Sequence, residues 1–195
     1  MKRRPRPDKS LKQSLPATWL VGRKVRLRPI EPADVPLLQR WRNDGPALEW
    51  LNRQLPLSAA TVAEWAAQAS VDPQMPAFII QTLGGRDIGT AGLRVYGARA
   101  TLGIGIYDDA FWNRGFGQDT VEVLVDGAFR VMPLQRIELT VFPGNVRAIR
   151  CYEQAGFKRE GVLRGYAYRA GRYADCVIMS LLHEEWERRV RRSLR

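Results

Sequence analysis

Residues 137–161 read IELTVFPGNVRAIRCYEQAGFKREG. With Arg136 in front, RIELTVF reads as a strand. PGN then sets Asn145 in the N-cap position of a helix, VRAIRCYEQAG, whose Gly156 is a natural C-terminal stop. Asn145 and Tyr152 are seven residues apart, so they share one helical face, about 10.5 Å apart along the axis.

Upstream, AFWNRGFGQDTVEVLVDGAF (110–129) places Gly115 and Gly117 at the mouth of an apolar-periodic segment. Glycine is the default where the backbone needs unusual dihedrals, which would make this an ordinary strand-to-helix turn. The alternative is a cradle of bare amides for phosphate oxygens. Val121, Leu124, Val125, Ala128, Phe129 and Met132 fall on one stripe, so a helix is expected from about Gly115 to Val131. Before it, RATLGIGIYDD reads as a strand in which Gly103 and Gly105 mark a bulge or a close backbone approach.

Further out, KVRLRPI reads as a first strand and EPADVPLLQRWRND as a helix spaced by Val35, Leu38 and Trp41. Ser58 caps a second, alanine-rich helix. PAFIIQTLGGRDIGTAGLRVYG is a strand, a Gly-Gly turn and a strand. FKREGVLRGYAYR and RYADCVIMSLL form a hairpin around AG. The order of elements implies an α/β fold with one central sheet.

The chain has 195 residues, 45% hydrophobic and 26% charged, as expected for one soluble domain. No apolar run approaches a membrane span, and no secretory h-region precedes the domain, so cytoplasmic residence is expected. Cys151, Cys176 and the single His183 make no metal-ligand pattern, so no metal is expected. The net charge of +11 could attract nucleic acid, an acidic protein or a polyphosphate cofactor. Part of it sits in a basic leader, 1–20, expected to be disordered, and a basic tail, 187–195, around a domain at 21–186. Solvated tails that aid solubility explain that charge as well. ERRVRR could equally extend a terminal helix.

GIGIYDDAFWNRGFGQ, IELTVFPGNVRAIRCYEQAGFKREG and GRYADCVIMSLLHEEW resemble the GNAT superfamily of acyl-CoA-dependent N-acetyltransferases, in its ribosomal-protein and diamine branch. The likeness runs from about Val25 to Trp186. Its most specific part is N-x-x-A-I-x-x-Y-E-x-x-G-F.

The resemblance implies a single mixed, mostly antiparallel sheet with flanking helices. Two parallel strands, about 101–107 and 136–141, would splay to admit the pantetheine arm of acetyl-CoA, the co-substrate. The arm would pair with main-chain groups near Ile104, Ile106 and Tyr107, on a strand that Gly103 and Gly105 let bend away. Amides from Asn113, Arg114, Gly115, Phe116, Gly117 and Gln118 would face the pyrophosphate. Asn145 would contact the arm, and Tyr152 would donate a proton to the departing thiolate.

Relatives carry a base glutamate where this chain has Thr101 or Thr140, which leaves Glu138, acting through water, as the candidate. Gln118, Asp119 and Thr120 also depart from the family pattern near the phosphates.

The acceptor would be a primary amine, a protein N-terminus or a small amino compound. It would be selected by LLQRWRNDGPALEWLNRQ and by the last hairpin. The resemblance leaves three other readings: a polyamine or aminoglycoside acetyltransferase, a CoA-binding sensor without catalysis, and a domain docking on ribosomal RNA through its basic tails. Homodimers are common in this branch, and no membrane partner is implied.

Overall fold

The computed structural model describes residues 20–51, 55–169 and 171–193. Apart from Leu20, the basic leader lies outside them.

Seven strands form one sheet in the order β1-β2-β3-β4-β5-β7-β6. They are β1 (Val25–Pro29), β2 (Ala77–Thr82), β3 (Asp87–Tyr96), β4 (Arg99–Ile106), β5 (Arg136–Val141), β6 (Lys158–Arg169) and β7 (Arg172–Leu182). Every neighbouring pair is antiparallel except β4 and β5. The helices are α1 (Val35–Asn43), α2 (Ala59–Val71), α3 (Phe116–Val131), α4 (Val146–Ala155) and α5 (His183–Ser193). A 3-10 turn, Pro46–Trp50, joins α1 towards α2.

Two apolar cores, one on each face, hold the helices to the sheet. Against one face, Leu38 and Trp41 of α1 and Val62 and Ala66 of α2 pack on Ile30, Ile79 and Tyr107. On the other, Val121, Leu124, Val125, Ala128 and Phe129 of α3 and Ile149, Tyr152 and Ala155 of α4 cover Val25, Ile80, Ile137 and Met179. Full burial of each aliphatic side chain contributes about 1.5–3 kcal/mol, so this stripe fixes where α3 sits.

The ends of the helices follow their local chemistry. Ser58 accepts from the Thr61 amide at 3.1 Å to start α2. Asn145 accepts from the Ala148 amide at 3.2 Å to start α4. Gly156, at φ +104°, lets the chain leave α4 through a left-handed residue.

Two open alternatives are decided. β3 and β4 pair without a register shift from Gly89↔Ile106 to Tyr96↔Arg99, so Gly103 and Gly105 mark no bulge. Gly105 instead leaves room for an aromatic ring, because a Cβ there would lie 2.9 Å from Cζ of Tyr107. The basic tail, in turn, is helical as far as Ser193 and continuous with the domain. Trp186 is buried, and Arg188 and Arg191 lie beside Glu184 and Glu187 one turn back.

Candidate active site

β4 and β5 are parallel neighbours only at Arg99↔Arg136, Ala100↔Ile137 and Thr101↔Glu138. Beyond these pairs the strands diverge, and a cavity of about 590 Å³ opens between them. Leu102, Gly103, Ile104, Gly105 and Ile106 line one wall, and Thr140, Val141 and Phe142 the other. α3 closes one end by its first turn, and α4 lies along the cavity with Asn145, Arg147, Cys151 and Tyr152 on it.

The first turn of α3 has the features of an anion cradle. Gly115 is its N-cap at φ +81°, preceded by Asn113 at φ 57°, so two left-handed residues within three positions turn the chain into the helix. The amides of Phe116, Gly117 and Gln118 head the helix, where the helix itself supplies no acceptor. A helix N-terminus favours an anion by 0.3–1 kcal/mol when exposed and about 2 kcal/mol when partly buried. A Cβ on Gly117 would fall 3.6 Å from Sγ of Cys151 and 3.7 Å from Cδ1 of Ile106. That is ordinary contact within the protein, so the bare position leaves the groove floor open to a ligand.

Tyr152 is buried, with its ring 6.1 Å from that of Phe157. Tyr152 lines the cavity, and among the described residues nothing hydrogen-bonds its hydroxyl. Burial, and then the neighbouring Cys151, push its pKa well above the ordinary phenol value. The Cys151 thiol is itself pushed up to about 12 by burial and by Glu122, so at neutral pH it is an inert thiol.

The expected site residues divide by the direction they face. Ile104, Ile106, Asn113, Gly115, Gly117, Gln118, Asn145 and Tyr152 line the cavity. Tyr107 does not. Its amide donates to the Ile88 carbonyl at 3.0 Å, continuing the pairing with β3, and its ring stacks on Trp41 across the opposite face. The carbonyl of Ile106 is already engaged, accepting from the Trp112 indole N–H at 2.9 Å.

Arg114 turns outward, donating to the Ala110 carbonyl and lying over the Phe116 ring, which packs edge-on to Phe111. Neither Arg114 nor Phe116 presents its side chain to the cavity. Glu138 sits where β4 and β5 are still paired, at the closed end of the gap. Its carboxylate accepts from Arg99 at 2.9 Å and from Arg136 at 2.7 Å. Thr140, two residues on, lies past the divergence and does line the cavity.

Asp119 and Thr120 also point away from it. The Asp119 carboxylate accepts from the amides of Arg23, Lys24 and Val25, and the Thr120 hydroxyl donates to the Phe116 carbonyl.

Arg147 was not anticipated in the cavity, whereas Ala47, Trp50 and Leu51 belong to the stretch expected to select the acceptor. The Arg147 guanidinium lies 3.7 Å over the Trp112 ring, and burial lowers its pKa against the field of Glu49. Trp50 packs with Phe142, Ala167 and Cys176, and Trp50, Phe142 and Cys176 line the cavity. No local sequence pattern announces contacts across such separations.

A family model described as an acetyltransferase (GNAT) domain matches residues 24–158, and the chain belongs to this family of acetyl-CoA-dependent N-acetyltransferases. An uncharacterized N-acetyltransferase p20 of Bacillus licheniformis is 34% identical over 102 residues, 51% of this chain but only 57% of that protein's length. The aminoglycoside N(6')-acetyltransferase type 1 of Klebsiella pneumoniae is 30% identical over 166 residues, covering 71% and 76% of the two chains. The spermidine N-acetyltransferase of Vibrio cholerae, solved with CoA and spermine, superposes with a TM-score of 0.77 at 23% identity, over 84% of this chain and 98% of that one. At that identity the likeness is one of fold.

Proposed function

We propose that this protein transfers the acetyl group of acetyl-CoA directly to a primary amine within a ternary complex. The observation that carries the reading is Tyr152, with an unpartnered hydroxyl, in the lining of the cavity that opens where β4 and β5 diverge. The Phe116, Gly117 and Gln118 amides would hold the diphosphate, and Asn145 and the Ile104 stretch of β4 the arm. Bound acetyl-CoA supplies the thioester. Tyr152 keeps its proton through the neutral range because burial disfavours the phenolate, and it is therefore the donor available to a departing sulfur.

An attacking amine must be neutral, and no described carboxylate lines the cavity to take its proton. With Glu138 held between Arg99 and Arg136, we give that proton to water at the open end of the cleft. The acceptor we favour is a protein N-terminus or a small amino compound of the kind handled by the ribosomal-protein branch.

The test is release of free thiol from acetyl-CoA across pooled amino acids, peptides, polyamines and aminoglycosides. Release that requires one class of amine supports the proposal. CoA binding without release on any amine would leave a sensor.

A further inference from the structure

We infer that the acceptor is an amine that carries a carboxylate and no second positive charge, and that Arg147 receives that carboxylate. This rests on the reading above and narrows it.

A polycationic acceptor needs carboxylates to offset the cost of desolvating its ammonium groups. Among the described residues the cavity has none: its polar lining is Asn, Gln, Thr and Arg. The fold is shared with a polyamine enzyme, and at 23% identity that likeness does not carry its acceptor over.

Arg147 and Arg150 are the guanidinium side chains among the described cavity lining, and of the two only Arg147 is withdrawn from solvent. It stands on the first turn of α4, half-buried, its guanidinium stacked on Trp112. Its one acidic influence is Glu49, which is exposed and lies off the cavity lining. Burial lowers its pKa, and an anion in contact would reverse that cost.

Trp50, Leu51 and Phe142 provide apolar surface beside it. An amine with one carboxylate and a neutral side chain, such as a neutral α-amino acid, meets all three features: arginine, apolar wall and no acid. Arg147 stacks on Trp112, three residues before the α3 N-cap, so CoA affinity is measured beside acceptor preference.

Matched substrates test this. Each neutral α-amino acid is compared with its own amide, alongside spermidine and kanamycin, by thiol release and by calorimetric titration of the CoA-loaded protein. The free acid should be preferred over its amide by 10-fold or more in kcat/KM and in affinity. Arg147→Gln should erase that preference while leaving the dissociation constant of CoA within 2-fold.

Equal use of acid and amide, or better use of spermidine or kanamycin, overturns the inference. So does Arg147→Gln weakening CoA instead of the acid. Absence of thiol release on every amine overturns the catalytic reading alone; the calorimetric comparison of acid and amide then decides the acceptor class, equal affinity overturning it.

Discussion

The Arg147 guanidinium stacks 3.7 Å above the indole of Trp112, whose N–H donates to the Ile106 carbonyl. Through this pair the first turn of α4 is tied to the loop after β4 across the gap that the diverging strands leave. A stacked cation contributes about 0.5–2 kcal/mol, the larger value when desolvated. A double-mutant cycle of Trp112→Leu and Arg147→Gln should therefore give a coupling of about 1 kcal/mol in urea unfolding. A coupling near zero would make the stack incidental.

Tyr152→Phe removes one hydroxyl that no described residue bonds. Stability and CoA affinity should hold, while kcat falls by about 10²–10⁴-fold. With the wild type, raising the pH should increase the rate as the acceptor amine loses its proton. No falling limb is expected up to about pH 10, because the buried phenol stays protonated past the ordinary tyrosine range. Unchanged turnover in the variant removes Tyr152 from the chemistry.

The two glycines of the cradle should respond differently to alanine. At Gly115 the left-handed backbone, φ +81°, makes a side chain cost about 1–2 kcal/mol of stability. At Gly117 the helical backbone and the 3.6 Å clearance to Cys151 accept a methyl, and alanine should stabilise the helix by up to about 1 kcal/mol. That methyl would stand in the groove, so Gly117→Ala should weaken CoA binding about 10-fold or more without unfolding. Thermal melts paired with CoA titrations separate the two effects, and equal behaviour of both variants contradicts this account.

Asp119 is a structural anchor. Its buried carboxylate accepts from three consecutive amides, Arg23 at 3.0 Å, Lys24 at 2.8 Å and Val25 at 3.0 Å, joining the start of β1 to α3. Gly22 must be bare there, since a Cβ would lie 2.4 Å from the carboxylate. Asp119→Ala strands those donors and should cost about 3 kcal/mol in denaturant unfolding. A loss under about 0.5 kcal/mol would mean that water replaces the carboxylate.

Acid should weaken the β5–β6–β7 region. Arg136 donates to Glu160 and Ser180 adds a hydroxyl, bringing the Glu160 pKa down to about 2 from an unfolded value of about 4.3. A depressed carboxylate contributes stability that is present above about pH 4.3 and lost as pH falls towards 2. Both side chains are partly exposed, so the effect should stay under about 1 kcal/mol. Urea midpoints of wild type and Glu160→Gln should differ at pH 6 and converge near pH 2; a constant gap would exclude the linkage.

The order of elements, both N-caps, the α4 stop at Gly156 and the α3 stripe were legible because each is local: a cap, a turn or a 3.6-residue period within one segment. The motif from Asn145 to Phe157 carried the family for the same reason. Glu138 and Tyr107 show where local reading stops. Glu138 shares a strand face with Thr140, yet strand divergence between them leaves one in an arginine clamp and the other on the cavity wall. Tyr107 follows the strand that lines the site, but its ring belongs to the opposite core.

By itself the sequence determined the elements, their order and the family, since those depend on residues near one another along the chain. Only the tertiary structure decided which way Asp119 turns, that Arg147 meets Trp112, and that the cleft carries no described acid. Those depend on side chains brought together from 23 to 119 and from 112 to 147, and separation along the chain holds no record of direction in space.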